Sequence, residues 1–178
     1  MPVDLQPATP VALLCAVMAT EEAIIQDATE ALVERLGPLR GAGPVYAFDQ
    51  SVYYRREMGE GLQKQLLCFA NKVDPAFLPQ VKGQTMMLER ERGTDTGDGL
   101  KRSVNIDPGL LSIESLALAT TKYKGHRLCI APSLYGEVTL LYQKGAYRPF
   151  EWTYPDYRTP ENLAFLQQMR DWLMATRD

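Results

Sequence analysis

Histidine is the scarcest chemistry-bearing residue in this 178-residue chain, present only as His126. A single histidine excludes a two-histidine metal helix and the paired-histidine phosphoesterases. Cysteine is nearly as rare: Cys15, Cys68 and Cys129 stand far apart, each among apolar neighbours. An odd number at such spacing argues against a disulfide framework and against a cysteine zinc site. All three read as small buried hydrophobes in a reducing compartment. The chain has no G-x-x-x-x-G-K followed by Ser or Thr, and Gly41-Ala42-Gly43 leads into Pro44 rather than a dinucleotide fingerprint. It has no G-x-S-x-G for a hydrolase nucleophile. Asp95 to Gly99 resembles part of a calcium loop, but Ile106 stands where the bidentate glutamate is needed. Long apolar runs are also lacking. Val11 to Ala19 is far below the ~20 residues of a membrane span, and no basic residue precedes it as in a signal peptide. The expectation is a soluble cytoplasmic protein with no membrane partner.

Neither sign of charge dominates: net charge is −3 and the pI about 5.3. No global basic field exists to hold a polyanion, which argues against duplex nucleic acid as a partner and leaves a local basic patch open. With 46% hydrophobic and 23% charged residues, the composition is that of a globular chain. Its length fits one domain over residues 1–178, without linker or repeat.

Val11 to Met18 reads as a buried strand. Thr20 then reads as an N-cap, with Glu21 and Glu22 in the first turn of a helix carrying Ile25, Ala28, Leu32, Val33 and Leu36 and stopped by Gly37-Pro38. Val45 to Arg55 and Leu62 to Ala70 read as two strands joined around Glu57 to Gly61, unless Arg55 to Glu60 forms a short helical turn. Asp74-Pro75 opens a second helix with Leu78, Val81, Thr85 and Leu88 inward, followed by a loop over Gly93 to Gly99. Lys101 to Ile106 is a strand closed by the turn Asp107-Pro108-Gly109. The order β-α-β-β-α-β matches the split βαβ, ferredoxin-like arrangement. Three further strands follow, Leu116 to Tyr123, Arg127 to Leu134 and Glu137 to Gln143, with turns at Lys124-Gly125 and Tyr135-Gly136. A helix from Thr159-Pro160, with Leu163, Leu166, Met169 and Leu173 on one face, ends the chain. The expected class is therefore α+β: a ferredoxin-like core extended by a C-terminal antiparallel meander and a final helix.

Lys122, Arg127 and Glu137 fall inside apolar strands, where an ionised group needs water, a partner or a ligand. Across a two-residue hairpin at Lys124-Gly125, Lys122 would oppose Arg127, and two facing cations need something negative between them. Glu137, Asp107 or Asp156 would serve, as would the phosphate or carboxylate of a ligand. Otherwise the pair lies on a solvated face. His126 reads either as a proton-handling group or as a surface residue beside a turn. Asn105 and Asp107 would orient a ligand, or simply build the turn. Glu137 and Thr139 share a strand face with Leu141 as a polar rim, unless Glu137 is only a strand-entry residue. Trp152, Tyr154 and Tyr157 would stack a base or sugar, or pack the last helix on the sheet, with Asp156 held for another role. Phe48-Asp49 and Tyr53-Tyr54 with Glu57-Met58-Gly59, near Arg55 and Arg56, form a second polar-aromatic cluster or an ordinary charged hairpin.

These segments together resemble a bacterial family described as domain of unknown function 4416. The resemblance rests on Phe48-Asp49, Tyr53-Tyr54-x-x-Glu57-Met58-Gly59, Asn105-Ile106-Asp107-Pro108-Gly109 and Ala119-Thr120-Thr121-Lys122. It continues through His126-Arg127, Gly136 to Leu140 and Trp152 to Tyr157, and spans nearly the whole chain. Leu110-Leu111 departs from it, since an aromatic is expected after Asp-Pro-Gly. The resemblance implies a stand-alone cytoplasmic bacterial domain and carries no activity, substrate or catalytic residue with it.

The leading expectation is a pocket for a small anionic ligand, a phosphorylated metabolite or nucleotide. Lys122 and Arg127 would hold its charge, Asn105 and Thr139 would orient it, and Tyr154 and Asp156 would complete the site. Were it turned over, His126, Glu137 or Asp107 would handle protons, or the carboxylates would hold magnesium. The alternatives are a non-enzymatic module that recognises RNA or a protein, and a polar network paired internally with no ligand.

Overall fold

The computed structural model describes residues 3–49, 54, 57–97 and 99–177. β1 (Val11–Ala19) is buried at every position. A strand that is apolar throughout, instead of at alternate residues, needs cover on both faces. Leu13, Cys15, Val17 and Ala19 join a core with Ile25, Ala28 and Leu32 of α1 (Glu22–Leu36) and Val81 and Leu88 of α2 (Leu78–Glu91). Ala12, Leu14 and Ala16 join the opposite core, with Phe165, Leu166, Met169 and Leu173 of α3 (Pro160–Ala175). α1 and α2 thus cover one face of the sheet and α3 covers the other.

β4 (Gln63–Val73) flanks β1 on one side and β7 (Val104–Leu111) on the other. Beyond β4 lie β2 (Leu39–Ala42) and the short β3 (Tyr46–Ala47). Beyond β7 lie β8 (Ser115–Thr120), β10 (Leu134–Gln143) and β11 (Ala146–Pro149). The order is β11-β10-β8-β7-β1-β4-β2, and neighbours run antiparallel. β9 (Leu128–Ala131) also pairs with β10. β5 (Thr94–Asp95), inside the expected loop, pairs with β6 (Leu100–Lys101), just beyond it, as a small separate sheet. The class is α+β, as expected.

Several local expectations change. Thr20 does not cap α1, whose N-cap position is Glu21 without a side-chain bond. Asp74 does cap, accepting from the Ala76 N–H at 2.8 Å above a 3-10 turn that runs into α2. The strand expected over 45–55 is confined to Tyr46–Ala47 among the described residues. Positions 50–53, 55 and 56 lie outside those residues, and with them the readings of Tyr53, Arg55 and Arg56.

Asp107-Pro108-Gly109 is not a turn but the middle of β7. The ladder to β8 begins only at Gly109, so Pro108 precedes the segment that pairs there. Gly109 is required by close approach, because a Cβ there would meet the Ala117 carbonyl oxygen at 2.6 Å.

The expected hairpin of Lys122 against Arg127 does not form. β8 ends at Thr120, β9 begins at Leu128, and β10 lies between them. The tight turn before β10 falls at Pro132-Ser133, with Ser133 at φ 60°, and not at Tyr135-Gly136. Cys129 is exposed rather than buried because β9 lies at the edge of the sheet.

Candidate functional site

β7 and β8 pair only over Gly109–Leu111 and Leu116–Leu118. Before Gly109 the open edge of β7 is met by side chains of α2. The Ile106 N–H donates to Glu89 Oε1 at 2.6 Å, and Lys82 Nζ donates to the Ile106 carbonyl at 3.1 Å. A buried backbone without a ladder neighbour needs such substitutes. A cleft of about 280 Å³ opens there, floored by Met18 and Leu118 and lined by Lys64, Lys82, Arg102, Lys122 and Arg127, with Asp107 and Glu137 as its carboxylates.

On the β7 side, Asp107 accepts from Lys82 Nζ at 3.3 Å and from Asn105 Nδ2 at 2.8 Å. Burial pushes the Asp107 carboxyl up, but Lys82, Lys64 and these hydrogen bonds outweigh it and hold the pKa below the ordinary value. Arg102 grips Glu57 with two bonds, 2.7 and 2.9 Å, and reaches Glu89 at 2.9 Å and Asn105 Oδ1 at 3.0 Å. The hydrogen bond from Arg102 lowers the Glu57 pKa. Burial and the Asp107 charge raise that of Tyr54, another lining residue.

On the β10 side, Arg127 Nε donates to Glu137 Oε2 at 2.6 Å, Nη1 to the Lys122 carbonyl at 2.7 Å, and Nη2 to the Tyr154 hydroxyl at 3.3 Å. His126 Nε2 lies 2.9 Å from the same Glu137 oxygen. Its ring stacks on Trp152 at 4.7 Å, and Trp152 stacks on Phe150 at 4.7 Å. Lys122 reaches solvent at the mouth, with its ammonium 5.6 Å from the Tyr54 ring centre. Partial desolvation lowers its pKa, and the Arg102 and Arg127 charges act in the same direction.

A third cluster stands on β4. Lys64 lies in phase with Leu62 and Leu66 and contacts Asp156 Oδ2 at 2.6 Å between the rings of Phe48 and Tyr157. The Tyr46 hydroxyl donates to the same oxygen at 3.0 Å.

A family model described as "Domain of unknown function (DUF4416)" matches residues 9–172. The chain belongs to the DUF4416 family. No curated protein and no solved structure matches it. In this DUF4416 chain, six of the nine candidate site residues line the cleft, Asn105, Asp107, Lys122, Arg127, Glu137 and Tyr154, together with Phe48, Tyr54 and Tyr157 of the two aromatic clusters.

His126, Thr139 and Asp156 stand behind its walls. His126 acts on Glu137, and Asp156 backs Lys64. Thr139 is fully buried, because a bulge between Val138 and Leu140 breaks the alternation and puts Leu140, not Thr139, in phase with Glu137. Sequence reasoning missed Lys64, Lys82 and Arg102 on the lining and Glu89 behind it, whereas Tyr54 and Glu57 belong to the second polar-aromatic cluster read from the sequence. Among the described residues no three His, Cys, Asp or Glu side chains gather as a metal site.

Proposed function

We propose that the cleft binds a small anionic ligand, a phosphorylated metabolite or nucleotide. The observation that carries this reading is the convergence of five cationic side chains, from α2, β4 and the segments around β7 to β10, on one cleft with two carboxylates. Lys64, Lys82, Arg102 and Arg127 also form ion pairs with Asp156, Asp107, Glu57, Glu89 and Glu137, so an anion would share these cations with their carboxylates and approach them past Lys122 at the mouth. At about 280 Å³ the cleft suits a molecule of the size of a sugar phosphate. Lys122 at the mouth and Lys82 at the base would take the negative group, Asn105 would orient it, and Tyr54 and Tyr154 would flank it. Arg127 would shape the wall around Glu137 while adding its charge. A chemical step, were there one, would run through Asp107 and Glu137, and any magnesium would arrive with the phosphate. A cytoplasmic bacterial setting belongs to the same proposal, supported by the free thiols of Cys15 and Cys68. A split βαβ, ferredoxin-like ancestry for β1 through β7 is supported by the strand order β7-β1-β4-β2.

The Arg127–Glu137 and Lys64–Asp156 pairs favour a second reading, a network that fixes strand register and holds no ligand. Native mass spectrometry of freshly purified protein separates the two. The first reading predicts a co-purifying anionic mass. A bare chain that no phosphorylated compound or nucleotide stabilises to heat favours the second.

A further inference from the structure

Of the two carboxylates that line the cleft, Asp107 is the accessible one. Its side chain keeps 30% of its surface exposed, against 2% for Glu137. Lys82 Nζ donates to Oδ1 at 3.3 Å and Asn105 Nδ2 to Oδ2 at 2.8 Å, while the Asn105 amide oxygen is itself held by Arg102 at 3.0 Å. Among the described residues each Asp107 oxygen thus accepts one hydrogen bond, about half of what an ionised carboxylate takes. The charges of Lys82 and Lys64 favour its ionised form. At the mouth, the Lys122 ammonium feels the Asp107 charge. A fixed, accessible carboxylate and a mouth cation therefore face the same small volume.

We infer that the ligand of the cleft carries hydroxyl groups beside its anionic group, and that one of them donates to Asp107 while Lys122 takes the negative group. The inference rests on the anion reading above and narrows its ligand class to hydroxyl-bearing phosphates, such as those of sugars and polyols. An alkyl phosphate would leave the Asp107 charge acting on its anion with nothing in return. An aminoalkyl phosphate would bring a further ammonium beside Lys64 and Lys82, whose charges already act on Asp107. A neutral hydroxyl meets neither penalty, and its hydrogen bond to an ionised carboxylate is a strong one. Asp107 is then a specificity-determining residue, and Asn105 is a positioning residue that acts through it.

The test is calorimetric titration of the whole chain with two matched sets of probes. One is inositol monophosphate against cyclohexyl phosphate, the other glycerol phosphate against propyl phosphate and aminopropyl phosphate. The wild type is expected to bind the hydroxylated member of at least one set at least about tenfold more tightly than its analogues, as for hydrogen bonds to charged groups. Asp107→Asn removes the negative charge from the cleft. The alkyl phosphates should bind this variant more tightly than they bind the wild type, and the hydroxylated probes should lose their advantage. A variant that weakens every probe alike and keeps the preference overturns the inference. Equal wild-type affinity within both sets, or tightest binding of aminopropyl phosphate, overturns it too and leaves the anion reading standing. Failure of every probe to bind overturns both. Should the variant not fold, the wild-type comparison decides alone.

Discussion

Lys64 and Asp156, separated by 92 residues in sequence, meet at 2.6 Å with side-chain exposures of 8% and 2%. The contact ties β4 to the segment that leads into α3. Removing one partner of a buried ion pair leaves the other charged and desolvated, at a cost of about 3–5 kcal/mol. Lys64→Met and Asp156→Asn are therefore each expected to destabilise strongly in urea unfolding. The double variant should recover much of that loss. Two single variants as stable as wild type would show that the pair does not hold the fold.

Two glycines give opposite expectations. A Cβ on Gly109 would meet the Ala117 carbonyl oxygen at 2.6 Å, so Gly109→Ala should force β7 and β8 apart at a cost of about 1–3 kcal/mol. Gly83 lies within α2 with open space where a Cβ would sit, so Gly83→Ala should stabilise by about 0.5–1 kcal/mol. Melting temperatures that move in the same direction for both variants would contradict the packing described for β7 and α2.

The depressed pKa of Asp107 gives the pH dependence a sign. A carboxyl whose folded pKa lies below its unfolded value contributes stability above the unfolded value of about 3.9 and loses it as pH falls through the folded one. The melting temperature should fall below about pH 4. Asp107→Asn should melt below wild type at neutral pH, with the difference shrinking on acidification. A difference that stays constant from pH 7 to pH 3 would remove Asp107 from the charge network.

Arg102 reaches two carboxylates and an amide through a planar fork that lysine lacks. Arg102→Lys should therefore lose about 1–3 kcal/mol in urea unfolding despite keeping its charge. Wild-type stability would show that charge alone suffices there.

Much of this was readable in the sequence. The unbroken apolar run of β1 announced a strand covered on both faces, and the spacing of Ile25, Ala28 and Leu32 placed α1. Lys64 was also legible, because it falls in phase with Leu62, Leu66 and Cys68 on the buried face of β4. Lys82 and Glu89, seven residues apart in α2, share the buried side of that helix with Val81 and Leu88. Charged side chains at these positions do not register in a hydrophobic periodicity.

What remained illegible depends on long-range pairing. The composition of Asp107-Pro108-Gly109 suits a turn, and only the partners of β7 make it a strand. No local signal puts β10 between β8 and β9 or marks the bulge that takes Thr139 out of phase with Glu137.

The central claim is that the cationic cleft holds a small anion. Its most direct test is heat stability of the wild type and of Lys122→Ala, titrated with phosphorylated metabolites and mononucleotides. The expected result is a wild-type melting temperature that rises with concentration, by the equivalent of about 2.7 kcal/mol at a hundred times the dissociation constant. The Lys122→Ala rise should be much smaller, and its melting point without ligand nearly unchanged. A wild type unmoved by every compound at millimolar concentration, or a variant that responds as the wild type does, would contradict the claim.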